Sequence, residues 1–190
     1  NAILPQIKAN DITVIWDADR WNFEVTADFT PLSMMTALAW AQTLGKALGV
    51  IITEDTMQKY IDENARIAAE YLNESTREQI EEALTEEDPK SAVQHVFQGL
   101  LAVTVARFAI GRVTGLSNYG AYKAAVKGRI TTKTWVVNST NPRDPPASMN
   151  GETVGIYERF SNGLRWPGDY EGSAEETVNC ECSLRYNREA

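Results

Sequence analysis

The residue types able to do chemistry are few in this chain, and their spacing argues against most familiar catalytic arrangements. The single histidine, His95, lies between Gln94 and Val96 in a stretch of helical period. A Ser–His–Asp hydrolase would have to use it, and nothing beside it supplies the orienting partners. Cys180 and Cys182 stand one residue apart. A disulfide across so short a loop would be cramped and would constrain little, so reduced thiols in small, buried strand positions are expected. A zinc site needs about four ligands. The two cysteines offer half of these, with His95 a distant third and a carboxylate needed to complete the set. Glu175 and Glu176 are adjacent acids beside a turn, where carboxylates are ordinarily solvated rather than paired for glycoside chemistry. Gly151, Gly155, Gly163 and Gly168 are too dispersed to form a phosphate-cradling loop.

The elements that must position these residues follow from pattern. Residues 1–28 read as strands or irregular structure, with Ile12, Val14 and Trp16, then Trp21, Phe23 and Val25, in alternation. Thr30 and Pro31 read as the cap and first residue of a helix that ends at Gly45 or Gly49. Thr53 reads as the cap of a second helix, with Glu54 and Asp55 at its positive end. Its stripe is Met57, Tyr60, Ile61, Ala65, Ala68 and Leu72. Ser75 with Glu78 forms a capping-box pattern that opens a short helix through Leu84. Asp88 and Pro89 open another, breaking near Gly99 before a long apolar helix from Leu101 to about Val126. Thr131 to Val137 is a β-branched and aromatic strand, with Thr153–Tyr157 and Val178–Leu184 as further strands. Trp135, Phe160 and Trp166 are expected to be buried and to join this sheet to the helices. The fold class expected is α+β, helical over the first two-thirds with a small C-terminal sheet unit. The expected division is an N-terminal segment at 1–52 and a domain at 53–190, helical to about 127 and sheet-bearing from 129.

Composition bounds the rest. The 190 residues, 43% hydrophobic and 23% charged, can bury a core without a metal or disulfide and do not resemble a disordered chain. No run of about 18 apolar residues is present, and no secretory signal is visible, so no membrane partner is expected. The start at Asn1 rather than Met suggests a piece of a longer protein or a processed product. The net charge of −8 is polarised. From Pro89 to Arg143 there is no acidic residue, while Lys90, Arg107, Arg112, Lys123, Lys127, Arg129, Lys133 and Arg143 are all basic. This segment either docks on the acidic remainder or faces nucleic acid or another acidic partner, with Lys123, Lys127, Arg129 and Lys133 as the contact residues in that case.

The most specific pattern lies in the C-terminal third. Lys133-Thr134-Trp135-Val136 is followed by Asn141-Pro142-Arg143, Met149-Asn150-Gly151 and Pro167-Gly168-Asp169, and then by Ala174-Glu175-Glu176 and Asn179-Cys180-Glu181-Cys182. Upstream stand Asn73-Glu74-Ser75-Thr76-Arg77 and the helix Ala106 to Ala125. This ordered set resembles the Mu F-like head-morphogenesis domain of tailed bacteriophages, over roughly residues 55–186. The motif residues carrying the likeness are Asn73, Thr76, Trp135, Arg143, Asn150, Gly151, Pro167, Gly168, Asp169, Asn179, Cys180 and Cys182. The resemblance implies a minor head protein, made in the host cytoplasm and placed in the virion near the portal. Its implied partners are the portal protein, other head proteins and phage DNA, its implied roles capsid assembly and DNA packaging or ejection, and some relatives are fused to portal or toxin modules.

Three departures from the family pattern stand out. Pro146 replaces a histidine, Gly111-Arg112 replaces Thr-Glu, and Glu181 replaces an arginine between the cysteines. Losing that histidine removes the best zinc ligand and the best acid–base group, so no catalytic residue, metal or cofactor is expected. The reversed signs at Arg112 and Glu181 predict a salt bridge between the long helix and the Cys-x-Cys strand. The alternatives are an NAD-dependent ADP-ribosyltransferase-type enzyme, resting on Asn138-Ser139-Thr140 and Glu175-Glu176, and a DNA-binding module without sequence preference, using the basic segment.

Overall fold

A computed structural model of the chain describes residues 12–100, 105–140, 142, 146–177 and 180–188. It is an α+β protein, mostly helical, with one small antiparallel sheet near the C-terminus. The helices are α1 (Ile12–Ile15), α2 (Ala18–Leu48), α3 (Gln58–Ala83), α4 (Pro89–Gly99), α5 (Val105–Lys127) and α6 (Ala174–Thr177). The strands are β1 (Thr132–Val137), β2 (Thr153–Gly155) and β3 (Cys182–Asn187).

Of the stretch 1–28, residues 1–11 lie outside the described residues, and from Ile12 on the chain is helical, not extended. Asp17 Oδ1 accepts the amide of Arg20 at 3.0 Å, which caps α2, and Arg20 Nε meets Glu24 Oε1 at 2.8 Å one turn on. Phe23 is 75% exposed, so the alternation of Trp21, Phe23 and Val25 does not define one buried strand face. Pro31 does not open a helix but lies inside α2. Thr30, expected as its cap, instead bonds back to the carbonyl of Thr26 at 2.9 Å. Pro31 has no N–H for the carbonyl four residues back, a loss that its exposed setting lets water offset. Helix α2 stops where Gly49 takes φ 70°, with the amide of Val50 closing on the carbonyl of Gly45 at 2.9 Å.

Thr53 precedes a 3₁₀ turn at Glu54–Thr56 and makes no side-chain cap bond. Ser75 opens no helix either, because α3 runs unbroken through it. The i,i+3 and i,i+4 pairs of Arg66 with Glu63 and Glu70, and of Arg77 with Glu74 and Glu81, line the solvated face of α3. Ile61, Ala65, Ala68, Ala69 and Ile80 lie on its buried face. Helix α4 begins as its sequence predicts, with Asp88 accepting from the amide of Ser91 and Pro89 in the first turn.

The chain forms two compact units, Asn1–Thr30 with Asp62–Ala106, and Pro31–Ile61 with Arg107–Ala190. These do not follow the expected boundary at 52/53; the divisions fall inside α2, α3 and the first turn of α5 instead. The first unit gathers Ile15, Trp16, Ile80, Ala83, Leu84 and Val93 in its core. The second packs α2 and α5 around Met34, Ala37, Ala41, Leu116, Tyr119 and Trp166, and carries the sheet. Strand β1 is central, in the order β2-β1-β3. Thr132 pairs with Gly155 on one side and Asn187 on the other. The last strand begins at Cys182, later than expected from Val178. Trp135, Phe160 and Trp166 are all buried.

Candidate functional site

The motif residues of the second unit converge where α5, the strand β1 and the 159–172 loop meet. The sequence prepares this locally with small residues on α5. A Cβ on Gly115 would stand 2.1 Å from the carbonyl oxygen of Gly168, and Gly168 itself has φ 74°, so the loop can approach the helix backbone only because both are glycine. Asn118, buried one turn along α5, holds its Nδ2 within 3.2 Å of the Pro167 carbonyl and 3.1 Å of the Cys182 carbonyl. Thr114 donates its hydroxyl to the Cys180 carbonyl at 2.6 Å. One face of α5 therefore grips both the Pro-Gly-Asp loop and the Cys-x-Cys segment.

Asp169 is fully buried and is spent on Arg165, accepting from Nε at 2.8 Å, Nη2 at 3.0 Å and the backbone amide at 3.3 Å. Arg165 also meets Glu171, which pairs in turn with Arg159. Its guanidinium lies 4.5 Å from the centre of the Trp166 ring. Tyr60 stacks on Tyr119 at 3.8 Å and touches Trp166 and Tyr170. Burial raises the Tyr60 hydroxyl well above its ordinary pKa, and the nearby Asp169 charge adds to the rise.

Lys133 lies within this cluster, 1% exposed. Its Nζ donates to the carbonyl of Arg165 at 2.8 Å and sits between the rings of Tyr122 and Phe160, at 5.3 and 5.2 Å. Burial lowers its pKa to about 8, against an opposing pull from Asp169. This corrects its assignment as a surface contact to nucleic acid or a partner. Of the other basic candidates, Lys127 gives its ammonium to the Ile51 carbonyl at 2.7 Å, Lys123 is half-buried, and Arg129 is exposed with φ 56°.

The sheet end of the site is equally committed. Gly151, at φ 85°, donates its amide to the Trp135 carbonyl at 2.9 Å, and Asn150 Oδ1 accepts from the amide of Val137 at 3.1 Å. Trp135 stands edge-on to Phe160 in a core with Met149, Leu164, Cys180 and Cys182. Both cysteines are free thiols. Cys182 is lowered to about 7, chiefly by hydrogen bonding with Cys180, with Trp135 adding to the effect against the cost of burial. Among the described residues, no group of three His, Cys, Asp or Glu could hold a metal ion.

The salt bridge expected between Arg112 and Glu181 is not among the described ion pairs. Arg112 instead lies over the Phe108 ring at 5.8 Å, with burial lowering its pKa to about 10 against an opposing pull from Tyr60. Glu181 is exposed, and its backbone carbonyl accepts from Asn138. That bond, with a second from Asn138 to Ser183, ties the Asn-Ser-Thr segment to the start of β3. Asn73 and Thr76 belong to the other unit: Asn73 Nδ2 bonds Asn22 at 2.7 Å, and Thr76 bonds back to the Leu72 carbonyl. Arg143 and Asn179 lie outside the described residues.

Sequence reasoning missed Thr114, Gly115, Asn118, Tyr60 and Arg165. For Thr114, Gly115 and Asn118 the signal available was the recurrence of small and polar residues on one side of an otherwise apolar helix. Grooves at 42–52 and at 79–96 are not lined by a motif residue. Comparison with protein-family models, with curated proteins and with solved structures gives no match to this chain.

Proposed function

We propose that this chain is a structural minor head protein of a tailed phage, acting in capsid assembly at the portal and in the handling of packaged DNA. One observation supports the reading most. The residues that carry the resemblance are spent on internal fastening: Pro167, Gly168 and Asp169, Asn150 and Gly151, and the two cysteines bind or pack against their own chain. A segment whose distinctive residues brace the fold suits a part whose task is shape and attachment. The test is co-expression with the portal and scaffolding proteins of a tailed phage, followed by purification of assembled heads. Retention of this chain in heads containing the portal, and its loss from heads lacking it, is the expected result. Absence from portal-containing heads overturns the proposal.

A second reading, binding of DNA without sequence preference, is favoured by the exposure of Arg129 in a stretch without acidic residues. A gel shift that weakens steeply between low and moderate salt supports it, and no shift at low salt removes it.

A further inference from the structure

We propose that the outward face of α2 in the second unit pairs with the same face of a second copy of this chain, antiparallel and about a two-fold axis at Ala39. From Pro31 to Leu48 the sequence holds one charged residue, Lys46. Leu32, Met35, Ala39, Gln42 and Lys46 follow one another at alternating steps of three and four, the spacing of a helix-pairing seam, and all are exposed. Leu32 is 59% and Met35 68% exposed, with Trp40 at 52% on the flank. The two threonines between them add no free polarity, because Thr36 bonds back to the Leu32 carbonyl and Thr43 to that of Ala39.

The occupant follows from how the two ends of this face fit each other. Leu32 projects at one end. At the other lies a groove of about 350 Å³, lined by Gln42, Lys46 and the 49–52 turn, in which Ile51 is 77% exposed. A two-fold axis at Ala39 sets Leu32 of each copy against Lys46 at the groove of the other, and Met35 against Thr43. Ala39 meets its own equivalent, where a small residue permits close approach. Electrostatics selects the antiparallel sense. It keeps the two Lys46 ammonium groups roughly 20 Å apart, beyond the screening length of about 8 Å, whereas parallel pairing sets them face to face. A chain of net charge −8 repels its own copy least along an almost uncharged face.

Leu32, Met35, Trp40 and Ile51 offer on the order of 400–500 Å² of apolar surface per copy. Doubled, this is roughly 800–1,000 Å², and with the polar flanks it approaches the roughly 1,200 Å² at which specific interfaces begin, the size of a weak dimer. The pairing does not rest on the phage reading.

Sedimentation equilibrium over micromolar to several hundred micromolar protein tests it. The expected mass climbs from 21.1 kDa toward twice that value. Ala39→Glu, which sets two carboxylates at the axis, weakens association at least about tenfold. Because Ala39 is exposed, that variant keeps the circular dichroism of the parent and, at low concentration where both are monomeric, its melting curve. Ala39→Cys gives a disulfide-linked dimer on mild oxidation, and Thr36→Cys alone does not. A parent chain that stays at 21.1 kDa throughout, a dimer indifferent to Ala39→Glu, or cross-linking by Thr36→Cys in place of Ala39→Cys overturns the proposal.

Discussion

Gly115 of α5 and Gly168 of the Pro-Gly-Asp turn meet backbone to backbone: a Cβ on the first would lie 2.1 Å from the carbonyl oxygen of the second, and a Cβ on the second 2.6 Å from the amide nitrogen of the first. Neither obstacle is the flexible end of a side chain. Gly115→Ala is therefore expected to destabilise the protein by about 2–3 kcal/mol, the upper part of the usual cost of overpacking. Gly168→Ala adds the strain of φ 74° to the same clash. Urea unfolding measures both. A loss below about 0.5 kcal/mol for Gly115→Ala would show that the loop does not close on α5.

Trp135→Ala removes the centre of the cluster formed with Met149, Phe160, Leu164, Cys180 and Cys182. A loss of about 3–5 kcal/mol is expected, because the facing Phe160 ring and the sheet cannot collapse into the space. A loss under about 1 kcal/mol in chemical denaturation would mean that this cluster is not a core.

Lys133 makes stability depend on pH in a definite direction. Its folded pKa of about 8 lies below the ordinary value, so the folded state disfavours the charged form. The penalty is fully present below pH 8 and is relieved as pH rises from there toward 10.5, by up to roughly 3 kcal/mol. Cys182, lowered to about 7, adds a rise between pH 7 and 9. Above pH 10 the trend reverses: Tyr60 and Tyr119 are raised, so the unfolded tyrosines lose their protons first. Maximum stability near pH 9–10 is expected from melting curves across pH. Lys133→Met should raise stability at pH 7 and flatten the rise, and Cys182→Ser should remove the lower part of it. A Lys133→Met variant with the parent's pH profile would rule out a buried ammonium.

Arg129 holds a left-handed conformation at the end of α5, φ 56°, where the amides of Arg129 and Ile130 close on the carbonyls of Val126 and Ala125. Glycine is the usual residue at this helix terminus. Arg129→Gly is expected to stabilise the fold by about 0.5–1 kcal/mol, by relieving the Cβ strain. If DNA binding is real, the same change also lowers the slope of affinity against salt by roughly one unit. A variant less stable than the parent would show that the arginine side chain contributes more than its backbone costs.

How far the fold was legible depended on whether a signal was local. Asp88-Pro89 at the start of α4, Gly49 after α2 and the β-branched run of β1 each carry their own chemistry, and each lies where the sequence placed it. The first helices were not legible, because alternating Trp21, Phe23 and Val25 imitates a strand when Asp17 and the Arg20–Glu24 pair are not weighed. Ser75 imitates a cap in the middle of α3. The site was half legible. Its loop residues stood out, but their partners Thr114, Gly115 and Asn118 make sense only once the loop lies against α5. The burial of Lys133 and the separate surroundings of Arg112 and Glu181 depend likewise on contacts between distant residues, which charge counting does not resolve.

Because each compact unit is assembled from two separated stretches of chain, order of synthesis matters. Residues 31–61 leave the ribosome long before residues 107–190, which complete their unit. At about 5–20 residues per second that interval is on the order of ten seconds. For about the first half of it, until α5 is made, the inward face of α2, with Met34, Ala37 and Ala41, has no α5 to cover it. A chain halted between residues 61 and 107 would hold half of the second unit with its apolar face uncovered, an exposed surface of the kind that chaperones bind.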